Sequence, residues 1–151
     1  MSTEPPLHKR RRAPDAAELA GIPWLGLLLP AEREQAVDSL IVGDALPGDY
    51  VCRVGKPVTY WFGVVEGLLK MSSDNVQGMT MTFAGLPVDT FHWLLDHSIG
   101  FNRFVMNQLN ERLGQFIAAR EIDRMNNPDL RVARSLAALF NPVLYPGVGE
   151  I

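Results

Sequence analysis

Apolar positions recur along this chain with two rhythms, one helical and one of strand type, and the longest helical stretch covers residues 98–123. At about 100° per residue, Ile99, Asn102, Val105, Met106, Leu109, Leu113, Phe116, Ile117 and Arg120 fall within one arc of roughly 120°. Asn107, Glu111 and Gln115 lie on the far side. The subset Ile99, Asn102, Met106, Leu109, Leu113, Phe116 and Arg120 alternates steps of three and four, the spacing of a coiled-coil seam. A helix of this length spans ~39 Å. Such a stripe belongs either to a helix lying on its own domain or to the spine of a dimer, and the dimer spine is the expectation here.

Ahead of that helix the rhythm shortens. From residue 41 to 83, β-rich runs are punctuated by glycine. Tyr60, Phe62 and Val64 alternate with Trp61, Gly63 and Val65, the period-two signal of a half-buried strand. Val51, Arg53 and Val54 precede a turn at Gly55-Lys56-Pro57 and continue the β pattern. Glu66-Gly67 reads as a turn, residues 68–72 as the returning strand, and Asp74-Asn75 with Gly78 as a hairpin tip before residues 79–83. Antiparallel strands at this spacing predict a small barrel or rolled sheet.

Helices flank the β-rich part. Residues 15–19 form a short helix before Gly21, and Pro30 opens another to about residue 40, with Val37, Leu40 and Ile41 inward. Asp89 caps a helix whose buried face carries Phe91, Leu94 and Leu95, and Ser98 caps the long one. Asn126-Asn127-Pro128 breaks the long helix, because proline excludes the helical conformation at the residue before it. Residues 129–140 form the last helix, burying Ala133, Leu136, Ala137 and Phe140, and Asn141-Pro142 stops it. Residues 1–14, with Pro5, Pro6 and the run His8-Lys9-Arg10-Arg11-Arg12, read as a disordered, solvated tail.

Composition narrows the classes. The 151 residues are 47% apolar and 21% charged, the balance of an ordinary globular domain. A net charge of −3 exerts no whole-chain pull toward nucleic acid or anionic membrane. No run approaches ~18 consecutive apolar residues, so no membrane partner is expected and the cytoplasm is the expected location. One cysteine, Cys52, excludes an internal disulfide and is expected as a packed thiol. His92 and His97 are five apart, off the spacing that sets two ligands on one helical face. Tyr60, Trp61 and Phe62 pack the sheet, and Arg120 either pairs with Glu121 or Asp123 of a partner helix or extends into solvent. No nucleophile–base pair or carboxylate set stands out, so no catalytic, cofactor or metal site is expected and an enzyme is not.

Several of these stretches resemble a known family. Leu46-Pro47-Gly48-Asp49, Val54-Gly55 followed by residues 60–64, and Glu66-Gly67-Leu68-Leu69-Lys70 are similar to the glycine-punctuated strands of the cyclic-nucleotide-binding β-roll in the Crp/Fnr family of bacterial transcription regulators. Residues 98–123 resemble its dimerisation helix, and Arg131-Val132-Ala133-Arg134-Ser135-Leu136-Ala137 the helix leading into its DNA-binding domain. The likeness covers nearly all of residues 20–145 in element order. Two features of the family are missing. Its phosphate-binding cassette carries Phe-Gly-Glu and then an arginine, whereas this chain has no Phe-Gly-Glu and no Arg between Arg53 and Arg103, leaving Lys56 and Lys70 as the cations of the roll. Its helix-turn-helix follows the Asn141-Pro142 loop, beyond which the sequence runs only to Ile151.

The resemblance implies an α+β fold: an incomplete antiparallel β-roll with short N-terminal helices, a long C-terminal dimerisation helix and one following helix. The implied division is a tail at 1–14, a sensor-like domain at 15–97, the dimerisation helix at 98–125 and the start of a truncated DNA-binding domain at 128–151. The implied function is the sensor and dimerisation part of a Crp/Fnr-like regulator, a homodimer through Ile99, Asn102, Met106, Leu109, Leu113, Phe116 and Arg120. Cyclic-nucleotide binding is expected to be impaired, and DNA is a partner only of a full-length form. The alternative is a small cyclic-nucleotide-binding module acting on a partner protein.

Overall fold

The structure, a computed structural model, describes residues 6–52, 55–66 and 81–145. It divides into two compact units, Met1–Phe101 and Asn102–Ile151. The class is α+β, helices with a small antiparallel sheet.

Unit 1 is organised on three strands, β1 (Ile41–Ala45), β2 (Tyr60–Glu66) and β3 (Met81–Pro87), in the order β1-β3-β2. The central strand, β3, continues past the expected end at Phe83. Ala84 pairs with Val42 and Gly63, and Gly85 with Ile41 and Phe62. Phe83, Ala84 and Leu86 are all buried, so this stretch reads as a continuous apolar run and shows no alternation. Gly85 fits because a Cβ there would stand 3.2 Å from both Ile41 and Phe62 side chains. Strand β1 was not anticipated as such, since its central Gly43 interrupts the β pattern. That glycine makes room for the Phe83 ring, 3.0 Å from where its Cβ would stand.

The expected strand around Val51 is absent among the described residues 46–52 and 55–59. Leu46-Pro47-Gly48-Asp49 is instead a tight turn. The Asp49 amide donates to the Leu46 carbonyl at 2.9 Å, the Asp49 carboxylate accepts from the Leu46 amide at 2.9 Å, and Gly48 takes φ +92°. Cys52, expected as packed, is exposed in this loop. Residues 53–54 and the expected strand and hairpin at 68–72 and 74–78 lie outside the described residues.

The basic run differs most from expectation. Residues 6–14 are tied to the sheet: Leu7–Lys9 forms a short 3-10 helix, and Arg12 exchanges two 2.8 Å backbone hydrogen bonds with Val42. The physical reason is that β1 is an edge strand, whose outer donors and acceptors need partners. Arg10 pairs with Asp49, Arg12 with Glu18 at 2.6 Å, and the Arg11 guanidinium lies 4.7 Å above the Tyr60 ring.

The remaining elements are α1 (Ala16–Ala20), α2 (Pro30–Ser39), α3 (Val88–His97), α4 (Ile99–Asp123) and α5 (Pro128–Ala137), with 3-10 turns at Pro23–Leu27 and Ala138–Phe140. Asp15 closes a capping box with Glu18 on α1. Helix α3 begins two residues before the expected start, with Pro87 at the cap position and no side-chain cap hydrogen bond, so Asp89 lies in its first turn. The core of unit 1 gathers Trp24, Trp61, Phe91 and Phe101. The Phe101 ring meets Trp24 at 5.1 Å, Trp61 at 5.6 Å and Phe91 at 5.6 Å, each edge-on.

In unit 2, Asn127 caps α5 by accepting from the Leu130 amide at 3.1 Å. The expected buried face of α5 is in water: Leu136 and Phe140 are both exposed. Among the described residues no helix is long and apolar enough to cross a membrane.

Candidate functional site: the exposed face of the long helix

Helix α4 starts from a corner that the sequence only half reveals. Ser98 is its expected cap, and its Oγ accepts from the Phe101 amide at 3.3 Å. The same hydroxyl donates to Glu32 Oε2 at 2.7 Å, and that oxygen also accepts from the Leu29 amide at 2.9 Å. Both Ser98 and Glu32 are buried, so one carboxylate oxygen joins the start of α2 to the start of α4 away from water. Gly100 completes the corner. A Cβ at this position would sit 2.2 Å from the Leu27 carbonyl oxygen, so no larger residue fits without moving backbone. Sequence reasoning missed Glu32 and Gly100. Their signals were a glutamate in the first turn after Pro30 and an isolated glycine inside a helical pattern.

Beyond the corner, the predicted seam is bare. Ile99, Met106, Leu109, Leu113 and Phe116 all point into solvent, with Leu113 57% exposed and Phe116 64%. Ile117 beside them is exposed, Asn102 is half-buried and Arg120 is exposed. The seven expected interface residues therefore lie on the same helix, and all but the half-buried Asn102 are exposed. Glu121 pairs with Arg124 at 3.5 Å in an exposed i, i+3 contact.

The opposite, polar face is the one that this chain covers. The segment after α5 folds back so that Gln108 donates to the Val143 carbonyl at 2.9 Å and Gln115 to the Ala138 carbonyl at 3.0 Å. Asn141 donates to Glu111 at 3.0 Å, and Arg112 donates to the Tyr145 hydroxyl at 3.0 Å while lying 5.2 Å over its ring. Apolar burial in unit 2 is slight: among the described residues only Ile122 and Leu144 are buried.

Other candidates from the sequence do not converge. His97 stacks on Trp93, ring centroids 4.6 Å apart, and bonds the Trp93 carbonyl through Nδ1 at 2.8 Å, whereas His92 lies against Phe91. Lys56 is exposed in the loop before β2, and Lys70 lies outside the described residues. A shallow groove on α2 is lined by Leu28, Pro30, Arg33, Glu34, Val37 and Asp38, without a convergent polar set. Electrostatic perturbation is found at the N-terminal strap, where the Arg12 hydrogen bond holds the Glu18 carboxyl below its ordinary range and Glu18 in turn raises Arg12. No protein-family model matches the chain, and no curated protein or solved structure does either.

Proposed function

We propose that this chain is a homodimerising regulatory module, the sensor and dimerisation part of a Crp/Fnr-like transcription regulator. The observation that carries the dimer is the inversion on α4: the chain covers the helix's polar face and leaves its apolar seam in water. An uncovered apolar stripe of this kind marks an interface. Each seam Leu or Phe gains about 1.5–3 kcal/mol on full burial, enough across the stripe to offset the cost of association. Asn102 and Arg120 fix the register of a parallel pair at some expense in stability.

The Crp/Fnr reading is supported by the order of elements, a small antiparallel sheet, then a long helix, then a short helix carrying Arg131 to Ala137. A β-roll of cyclic-nucleotide-binding type belongs to this reading, with its ligand site impaired. A cyclic phosphate needs a cation, a helix N-terminus or a nest of amides, and no Arg lies between Arg53 and Arg103. Two lost charge-assisted hydrogen bonds weaken binding roughly 10²–10⁴-fold. In such a regulator DNA is read by the helix-turn-helix of the full-length form.

Light scattering of the wild type beside Leu113→Glu tests the proposal. The wild type is expected at about twice 16.8 kDa at tens of micromolar, and the variant at the single-chain mass. A wild type of single-chain mass, or an unaffected variant, contradicts it. Calorimetry with cyclic AMP and cyclic GMP tests the ligand clause, for which a low-micromolar dissociation constant would be contrary.

A further inference from the structure

We infer that residues 6–14 are a built-in ligand, seated on an edge of the unit 1 sheet that accepts an extended basic peptide of a partner protein in their place. The edge is β1, and its surroundings complement the segment in charge and shape. Leu7 packs against the buried pair Ala45 and Phe83. The Arg10 side chain pairs with Asp49, and Arg12 holds both oxygens of Glu18, at 2.6 and 2.7 Å. Arg11 lies 4.7 Å over the Tyr60 ring, and its Cγ is 3.6 Å from where a Cβ on Gly43 would stand. Asp15 and Asp44 also act on the Arg12 charge. An apolar socket, an aromatic face and a rim of carboxylates thus meet one leucine and three consecutive arginines.

The segment uses this edge only in part, and that makes it replaceable. Arg12 and Val42 form a hydrogen-bonded antiparallel pair. The next such pair of an antiparallel ladder comes two residues on, which would set Arg10 opposite Asp44. The Arg10 amide instead turns back to the Leu7 carbonyl at 3.1 Å, so the segment leaves the edge after an isolated bridge. Pro6 and Pro14 bracket it and bring no N–H to a ladder. A peptide that stays extended gains ladder bonds that residues 6–14 do not make, as in strand addition to a sheet edge. The advantage of the segment is its tether, because a short linker confers an effective concentration on the order of millimolar.

A labelled peptide of residues 6–14, titrated by anisotropy at about 150 mM salt to screen unspecific attraction, tests this. The full chain carrying Arg10→Glu and Arg12→Glu, whose own segment is repelled by Asp49 and Glu18, should bind the peptide about tenfold or more tightly than wild type does. A scrambled peptide of the same composition should bind that variant about tenfold more weakly. Equal affinity of variant and wild type, or of the two peptides, overturns the inference. A second measurement needs no variant. In the wild-type chain the Arg12 amide donates to the Val42 carbonyl and the Val42 amide to the Arg12 carbonyl. With the peptide in excess, hydrogen exchange at the Arg12 amide should quicken about tenfold, while the Val42 amide, handed to the peptide, keeps its protection. Quickening at both amides, or at neither, overturns the inference as well.

Discussion

In unit 1 the large apolar side chains face one another: Trp24, Leu25, Val42, Phe83, Leu86, Leu94 and Phe101 are buried, with strands and helices converging on them. In unit 2, Met106, Leu109, Leu113, Phe116, Ile117, Leu136, Leu139 and Phe140 remain in water, and among the described residues only Ile122 and Leu144 are buried. The difference lies in what each unit has available to pack against. Unit 1 has a sheet with helices on it, so one chain closes its core. Unit 2 has α4, α5 and a short return segment, and it uses the return segment on the polar side of α4. Unit 2 hydrogen-bonds its polar face internally and bares its apolar one, the arrangement that the proposed dimer would complete. On that proposal its stability is expected to rise with protein concentration.

The sharpest break in that comparison comes from Phe101→Ala. Phe101 is fully buried against Trp24, Trp61 and Phe91, so its loss should lower the stability of unit 1 by about 3–5 kcal/mol. Denaturant melts followed by tryptophan fluorescence read this, at equal size across protein concentrations. Next is Phe116→Ala on the seam. It should weaken dimerisation by about 1.5–3 kcal/mol per side chain removed and leave the low-concentration melt of unit 1 unchanged; an effect on that melt instead would assign Phe116 to a core.

Ser98→Ala sharpens the comparison at the corner. It removes the cap on α4 and a hydrogen bond to buried Glu32, an expected loss of about 0.5–2 kcal/mol. The smallest effect concerns pH and belongs to unit 1. Because the Arg12 hydrogen bond lowers the Glu18 carboxyl in the folded chain, the pair stabilises fully above the ordinary glutamate range and fades as pH falls through it. Glu18→Gln should therefore melt slightly below wild type at neutral pH and level with it in acid. A difference that persists in acid would mean that the pairing is not the source.

The helical side of this fold was legible in the sequence because its signals are local. Proline at the start of α2, Ser98 before α4 and Asn127-Pro128 before α5 each mark a boundary that the backbone observes. The seam on α4 was legible for the same reason. The sheet was less so. Gly43 and Gly85 sit in strands because neighbouring rings need the space, a constraint set by residues far away in sequence. The ordering of Lys9 to Arg12 was hidden likewise, since it depends on an open strand edge at Val42. The corner of Glu32, Ser98 and Gly100 joins residues 66 positions apart, beyond the reach of any periodicity.

The central claim, that two copies meet along α4, is tested most directly by cross-linking across the expected axis. In a parallel pair, equivalent seam positions face each other. Leu113→Cys in a Cys52→Ala background should oxidise to a disulfide-linked species of about twice 16.8 kDa, while Asn107→Cys, exposed on the far side of α4, should stay at the single-chain mass. Equal cross-linking at the two positions, or none at Leu113→Cys, would contradict the account.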